Sequence, residues 1–178
     1  ENEIFNFNKK YILTFDDGFK DHLYVAEELK KRNYIGIFFI PTLPYKNKTI
    51  LDVHKAHLIT GKMGGTKSLN MLFKYLKDTK EDKFLNKIEK EKFKSAYKNQ
   101  NDEEDKKEFK RIINYYGDVD KKQSILNHLL KIFEINVSMT DFYLTEKEIK
   151  YISDIGMIIG SHGVSHTLLS RLSYEKQK

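Results

Sequence analysis

The stretch Thr14-Phe15-Asp16-Asp17-Gly18 decides how the rest of the chain is read. An apolar run, Tyr11 to Leu13, leads into it and a helical pattern leaves it. Two adjacent carboxylates therefore stand where a strand ends and the chain turns. In alternating α/β folds, ligands and catalytic groups gather at the C-terminal ends of strands. An acidic turn also has a plainer reading, with an Asp accepting backbone N–H bonds and Gly supplying a positive φ. A second site far along the chain decides between them.

Working outward, Tyr11 to Phe15 is predicted as a strand. Asp21 is placed to cap a helix running to about Arg32, with Leu23, Ala26 and Leu29 on one face. Asn33 suits a left-handed stop. Ile35 to Ile40 is a continuous apolar run, the pattern of a parallel strand buried on both faces, ended by Pro41 and Pro44. Strand, helix and strand make a βαβ unit. From Tyr45 to about Phe142 the period is helical instead. Leu69, Leu72, Phe73 and Leu76 share one face, followed by Leu85, Ile88 and Phe93. Phe109, Ile112, Ile113 and Tyr116 continue the pattern up to Gly117, and Ile125, Leu126, Leu129, Leu130 and Phe133 form a last amphipathic helix. No fixed period recurs, so this is read as a helical insertion rather than a repeat array.

Regular α/β signals return at Leu144. Thr145-Glu146-Lys147-Glu148 has the form of a capping box, and the helix carrying Ile149 and Ile152 stops at Gly156. Met157 to Ile159 is a short predicted strand, followed by Gly160-Ser161-His162-Gly163-Val164-Ser165-His166. The expected organisation is an α/β domain made of 1–44 and 144–178, with 45–143 inserted.

The bulk composition narrows the function classes. A chain of 178 residues, 39% hydrophobic and 13% aromatic, is large enough to bury a core. No apolar run is long enough to cross a bilayer as a helix, so no transmembrane segment is expected. The formal charge is +6. Lysines are interleaved with acidic residues, as in Lys80-Glu81-Asp82-Lys83 and Glu89-Lys90-Glu91-Lys92, which makes a solvated ion-paired face rather than a nucleic-acid stripe. No nucleic-acid partner is expected. With no cysteine, any transition-metal site must use His, Asp or Glu. Glu1-Asn2-Glu3-Ile4 carries neither an initiator Met nor a signal-peptide pattern. Envelope, secreted and cytoplasmic locations stay open, and these residues fix no oligomeric state.

His162 and His166, four apart after a strand, are able to present both imidazoles to one ion. The spacing lacks the Glu of the His-Glu-x-x-His zinc helix. Together with one carboxylate from the first turn they make a three-ligand site with positions open for water and substrate. The same donor set also serves iron enzymes that use two His and one carboxylate, although those favour a jelly-roll strand pattern over βαβ units.

Thr14-Phe15-Asp16-Asp17-Gly18 resembles the first motif of the NodB-homology polysaccharide deacetylases, carbohydrate esterase family 4. His162-Gly163-Val164-Ser165-His166 is similar to their second motif, His-Ser/Thr-x-x-His. Ile35 to Ile40 resembles the family's second strand, and Leu168, Leu169, Arg171, Leu172 and Ser173 resemble the segment after the second motif. The resemblance covers 10–44 and 144–174. It implies metal-dependent hydrolysis of N-acetyl groups on an amino sugar or polysaccharide, on a distorted (β/α) barrel. Asp17, His162 and His166 would hold the metal, with Zn²⁺ first and Co²⁺, Ni²⁺ or Fe²⁺ as alternatives, and Asp16 would be the general base.

Two departures qualify the expectation. Gly163 stands where the family has Ser or Thr, which removes a hydroxyl expected to brace the loop. The family's later motifs, carrying an Arg that orients the base, a backbone oxyanion donor and a His that protonates the leaving amine, are not found. They are expected beyond Lys178, making this the N-terminal part of a catalytic domain, since three strands cannot close a barrel. The rival reading is a glycan- or protein-binding module with a vestigial metal site. Of the remaining histidines, His54 and His57 are expected on an exposed helical turn, with substrate contact by His54 as the alternative. His22 lies beside the acidic turn, and His128 is read as an ordinary helix residue.

Overall fold

Parallel strands β1 (Leu13–Asp16), β2 (Gly36–Ile40) and β3 (Ile158–Ser161) form one sheet in the order β1-β2-β3. Phe15 pairs with Phe38, and Phe38 with Ile159. The computed structural model describes residues 11–81, 83–85 and 87–177 of this mixed α/β chain. It divides into two compact units, Glu1–Ile50 with Val137–Lys178, and Leu51–Asn136. The sequence boundaries at 44/45 and 143/144 compare with these divisions at 50/51 and 136/137.

In the first unit, α1 (His22–Lys31) joins β1 to β2, and α9 (Glu146–Asp154) leads into β3. Strand alternation sends Gly36, Phe38 and Ile40 to one face, where they are buried, and leaves Ile37 and Phe39 half-buried on the other. Ala26 and Leu29 of α1 and Ile152 of α9 pack with Phe38, Ile40, Leu144 and Met157. The register puts Phe15 on this covered face and Asp16 on the opposite one. Short helices α2 (Leu43–Asn47), α8 (Met139–Phe142) and α10 (Tyr174–Gln177) complete the unit.

The second unit contains α3 (Asp52–Met63), α4 (Gly65–Asp78), α5 (Lys87–Phe93), α6 (Glu104–Arg111) and α7 (Val119–Ile132). Its core joins Ala56, Ile59, Leu69, Leu72, Phe109, Ile113, Leu126 and Leu129. Among the described residues, no helix is long and apolar enough to cross a membrane.

Several local expectations are corrected. The first strand starts at Leu13 rather than Tyr11. Asp21 occupies the N-cap position of α1 with helical backbone and makes no side-chain cap bond. Pro44 opens α2 rather than merely ending β2, its missing N–H costing nothing in a first turn. Phe73 is 43% exposed. Gly65 lets α6 approach so closely that an added Cβ would lie 2.4 Å from Lys106 N, and the buried stripe of α4 is therefore Gly65, Ser68, Leu69, Leu72 and Leu76. Ile88 is 79% exposed, and α5 buries none of its residues. The helix through Phe109 changes to a π-turn over Ile112–Tyr116, with Gly117 N donating to Ile112 O at 2.7 Å.

Candidate metal centre

Asp17 directly follows β1 and His162 directly follows β3, so the outer strands of a parallel sheet deliver both to its C-terminal end. His166 comes from the loop beyond. Asp17 Oδ1 lies 3.4 Å from His162 Nε2 and 3.5 Å from His166 Nε2. The two imidazoles meet edge to face with centroids 5.1 Å apart. One ligand atom from each of the three residues lies within 4.8 Å of the others. Donors bonded at about 2.0–2.1 Å to a tetrahedral ion stand about 3.3–3.4 Å apart, close to the two Asp–His separations. A carboxylate and two imidazoles also match the donors of an open, three-ligand zinc site. The set fits a divalent cation. Asp17 and His162 are half-buried and His166 is exposed, leaving one side open to water.

The backbone at the site is under constraint. Asp17 has φ 76° and His166 φ 58°, both in the left-handed region that L-residues enter at a cost. Such conformations persist where the surroundings impose them, and they cluster at functional sites. Gly18 follows Asp17 with φ 64°, and an added Cβ there would press on Ile40 Cδ1 at 3.0 Å.

The loop carrying both histidines is braced by main chain. His162 N donates to Ile40 O at 3.0 Å, Thr42 N to Gly163 O at 3.2 Å and Leu43 N to Val164 O at 2.8 Å. Gly163 has φ 71°, which gives its presence a backbone reason where the resembled family carries a hydroxyl. Ser161 Oγ accepts from Gly163 N at 3.3 Å, and the hydroxyls of Ser165 and Thr167 bond at 2.8 Å.

The remaining candidates sit as follows. Asp16 ends β1 with an exposed side chain. The His22 ring lies among Phe15, Phe19 and Phe38 at 5.7–5.8 Å. Burial pushes its pKa down, against the pull of Asp17, Asp21 and Asp16. His54, expected exposed, is buried on α3 of the second unit at 3% exposure, whereas His57 is exposed as expected. The His128 ring lies tilted against Tyr75 with centroids 4.5 Å apart.

The sequence reading missed what holds the acidic turn. Leu144 N donates to Gly18 O at 2.9 Å and Lys20 N to Phe142 O at 2.9 Å. Lys20 Nζ reaches Glu148 Oε1 at 2.6 Å and Oε2 at 2.8 Å. The capping motif marked Glu148 in advance, but nothing local links two positions 128 apart. Tyr45 was also unremarked. Its hydroxyl is buried without a hydrogen-bond partner among the described residues, 3.5 Å from where a Cβ on Gly18 would stand. Burial, then Glu146 and Glu148, pushes its pKa up to about 12.

Comparison of the chain with family models, curated proteins and solved structures finds no match.

Proposed function

We propose that this chain carries the metal-binding elements of a metal-dependent hydrolase. Within that class, the reading supported best is an N-deacetylase of the NodB-homology type, acting on an acetylated amino sugar or its polymer. The observation that carries it is the meeting of Asp17, His162 and His166 at the C-terminal end of a parallel sheet. A divalent cation there, Zn²⁺ first, would acidify a water and polarise the acetamide carbonyl. Asp17, His162 and His166 would hold it through one carboxylate oxygen and two Nε2 atoms. Asp16, next in sequence and exposed, is assigned the role of taking the attacking water's proton on its carboxylate. A distorted (β/α) barrel is the fold we infer. It is supported by helices packed on the Phe38 face and a second face carrying half-buried Ile37 and Phe39. The same donors serve iron enzymes, but a parallel sheet favours the hydrolase over a jelly roll.

A second reading, a glycan- or protein-binding module with an idle metal site, draws on the helical unit. There a cavity of about 440 Å³ is lined by Met63, Lys67, Asn70, Met71, Lys74 and Glu103 among others.

The test is acetate release from N-acetylglucosamine monomers and oligomers by the complete reading frame loaded with Zn²⁺. Asp16→Asn is expected to keep the metal and lose about 10²- to 10⁴-fold in rate, the usual contribution of a general base. Full activity of that variant overturns the base assignment. Metal uptake without turnover of any acetylated sugar favours the binding module.

A further inference from the structure

Capping a helix does not account for all that Glu148 does. The capping box uses one carboxylate oxygen, with Oε2 accepting from Thr145 N at 2.7 Å and Thr145 Oγ1 at 2.9 Å. Lys20 takes the other oxygen at 2.6 Å and shares the first at 2.8 Å. Both ends of this pair abut the metal motifs. Lys20 stands two residues past Gly18, and Glu148 lies in α9, the helix that leads into the strand delivering His162. We propose that Lys20 and Glu148 are positioning residues that hold the Asp17 turn in register with the α9–β3 segment, so that Asp17 meets His162 and His166. The inference rests on the metal reading above.

Three observations carry it. Asp17, a residue with a Cβ, sits in the left-handed region at φ 76°, a conformation that its surroundings hold at a cost, and Gly18 follows at φ 64°, which glycine adopts freely. Among the described residues, a set of contacts with 142–148 holds the turn. They are Lys20 N to Phe142 O and Leu144 N to Gly18 O, both at 2.9 Å, the isolated bridge between Phe19 and Tyr143, and the bidentate Lys20–Glu148 pair. The Phe19 ring also packs on Phe142 and Tyr143, at 5.5 and 6.3 Å, and the ion pair adds a polar side-chain contact that can be altered without touching the backbone. The Lys20 side chain is 38% exposed and that of Glu148 22%. Ion pairs at such exposure add little to stability, so the contact of Lys20 Nζ with both Glu148 oxygens matters for where it ties the turn to α9 rather than for the energy it adds. Glu148 is moreover tied from three directions, by Lys20, by the Thr145 amide and by the Thr145 hydroxyl. Together these outweigh burial and hold its carboxyl below the usual range.

The experiment is calorimetric titration of the full chain with Zn²⁺ against a competing chelator. Variants are Lys20→Met, Lys20→Arg, Glu148→Gln and the Lys20→Met/Glu148→Gln double. Glu148→Gln keeps an oxygen for the capping box. Lys20→Met and Glu148→Gln should each weaken binding by about tenfold, the low end of what supporting residues contribute to a metal site. Lys20→Arg, able to restore the two-oxygen contact, should bind like the parent. The double variant should be no weaker than either single one, because both remove the same contact. Lys20→Met binding as tightly as the parent, or additive losses in the double variant, overturns the positioning role. A parent chain that takes up no Zn²⁺ sinks the metal reading itself, a result distinct from equal binding by parent and variants.

Discussion

Replacing Gly163 by Ser restores the residue type of the resembled motif and asks whether the loop needs a hydroxyl or a glycine. Gly163 has φ 71°, and a Cβ built there meets nothing within 4 Å. No packing term arises, so the expected cost is the left-handed penalty alone, about 1–2 kcal/mol. If that falls on the loop conformation presenting His162 and His166, its population drops about 5- to 30-fold relative to alternatives. Apparent metal affinity should then fall by up to the same factor, since affinity scales with the fraction of competent conformer. Gly163→Ala separates the causes, carrying the same backbone penalty without the hydroxyl. Zn²⁺ titration of the three proteins should rank Gly tightest, with Ser and Ala weakened alike. The three main-chain bonds from His162, Thr42 and Leu43 already brace the loop. Serine binding as tightly as glycine while alanine is weakened would mean that a hydroxyl, not the main-chain bonds, braces the loop, and would overturn this prediction.

Two further outcomes follow from the packing and the charges. Phe38 is fully buried in β2 and stacks on Phe15 at 4.8 Å, so Phe38→Ala should destabilise the first unit by about 3–5 kcal/mol; the 43%-exposed Phe73→Ala should cost its own unit less than about 1 kcal/mol. Urea unfolding followed by hydrogen exchange in each unit reads both, and similar losses contradict the burial assignment. Lys106 at 2.7 Å and Lys110 at 2.5 Å hold the Asp102 carboxyl down to about 2. A depressed carboxylate stabilises the fold above its unfolded pKa, and that contribution disappears as pH falls from about 4 through 2. Near the surface it amounts to about 1 kcal/mol, and Asp102→Asn should remove that part of the acid sensitivity when helical-unit stability is compared at pH 6 and pH 2.5. Identical pH dependence in the two proteins would contradict it.

How far the sequence is legible depends on how local the determining physics is. The βαβ unit around β1 and β2 could be read because Ile37 to Ile40 is an unbroken apolar run and Asn33 supplies the left-handed stop, φ 56°. The α9 capping box could be read because both its bonds lie within three residues. A carboxylate of the acidic turn and the two histidines could be singled out from residue type and position after strands, which needs no knowledge of packing, whereas the choice of Asp17 over Asp16 came from the family resemblance. Burial was harder. Phe73 and Ile88 have the right period yet face solvent, since Gly65 fixes which face of α4 meets α6, and α5 contributes no buried residue. His54 was expected at the surface because polarity is a poor guide inside a helical unit whose buried side chains also include Lys55, Thr60 and Lys110. The Lys20–Glu148 contact was invisible because it is set by how the chain returns after the helical unit, not by neighbouring residues.

Whether Asp17, His162 and His166 form one metal site can be read from crystals grown with Zn²⁺ and measured at the zinc absorption edge. One anomalous peak is expected about 2.0–2.2 Å from an Asp17 carboxylate oxygen and from the Nε2 atoms of His162 and His166. Well-ordered side chains at all three positions with no peak between them would contradict it.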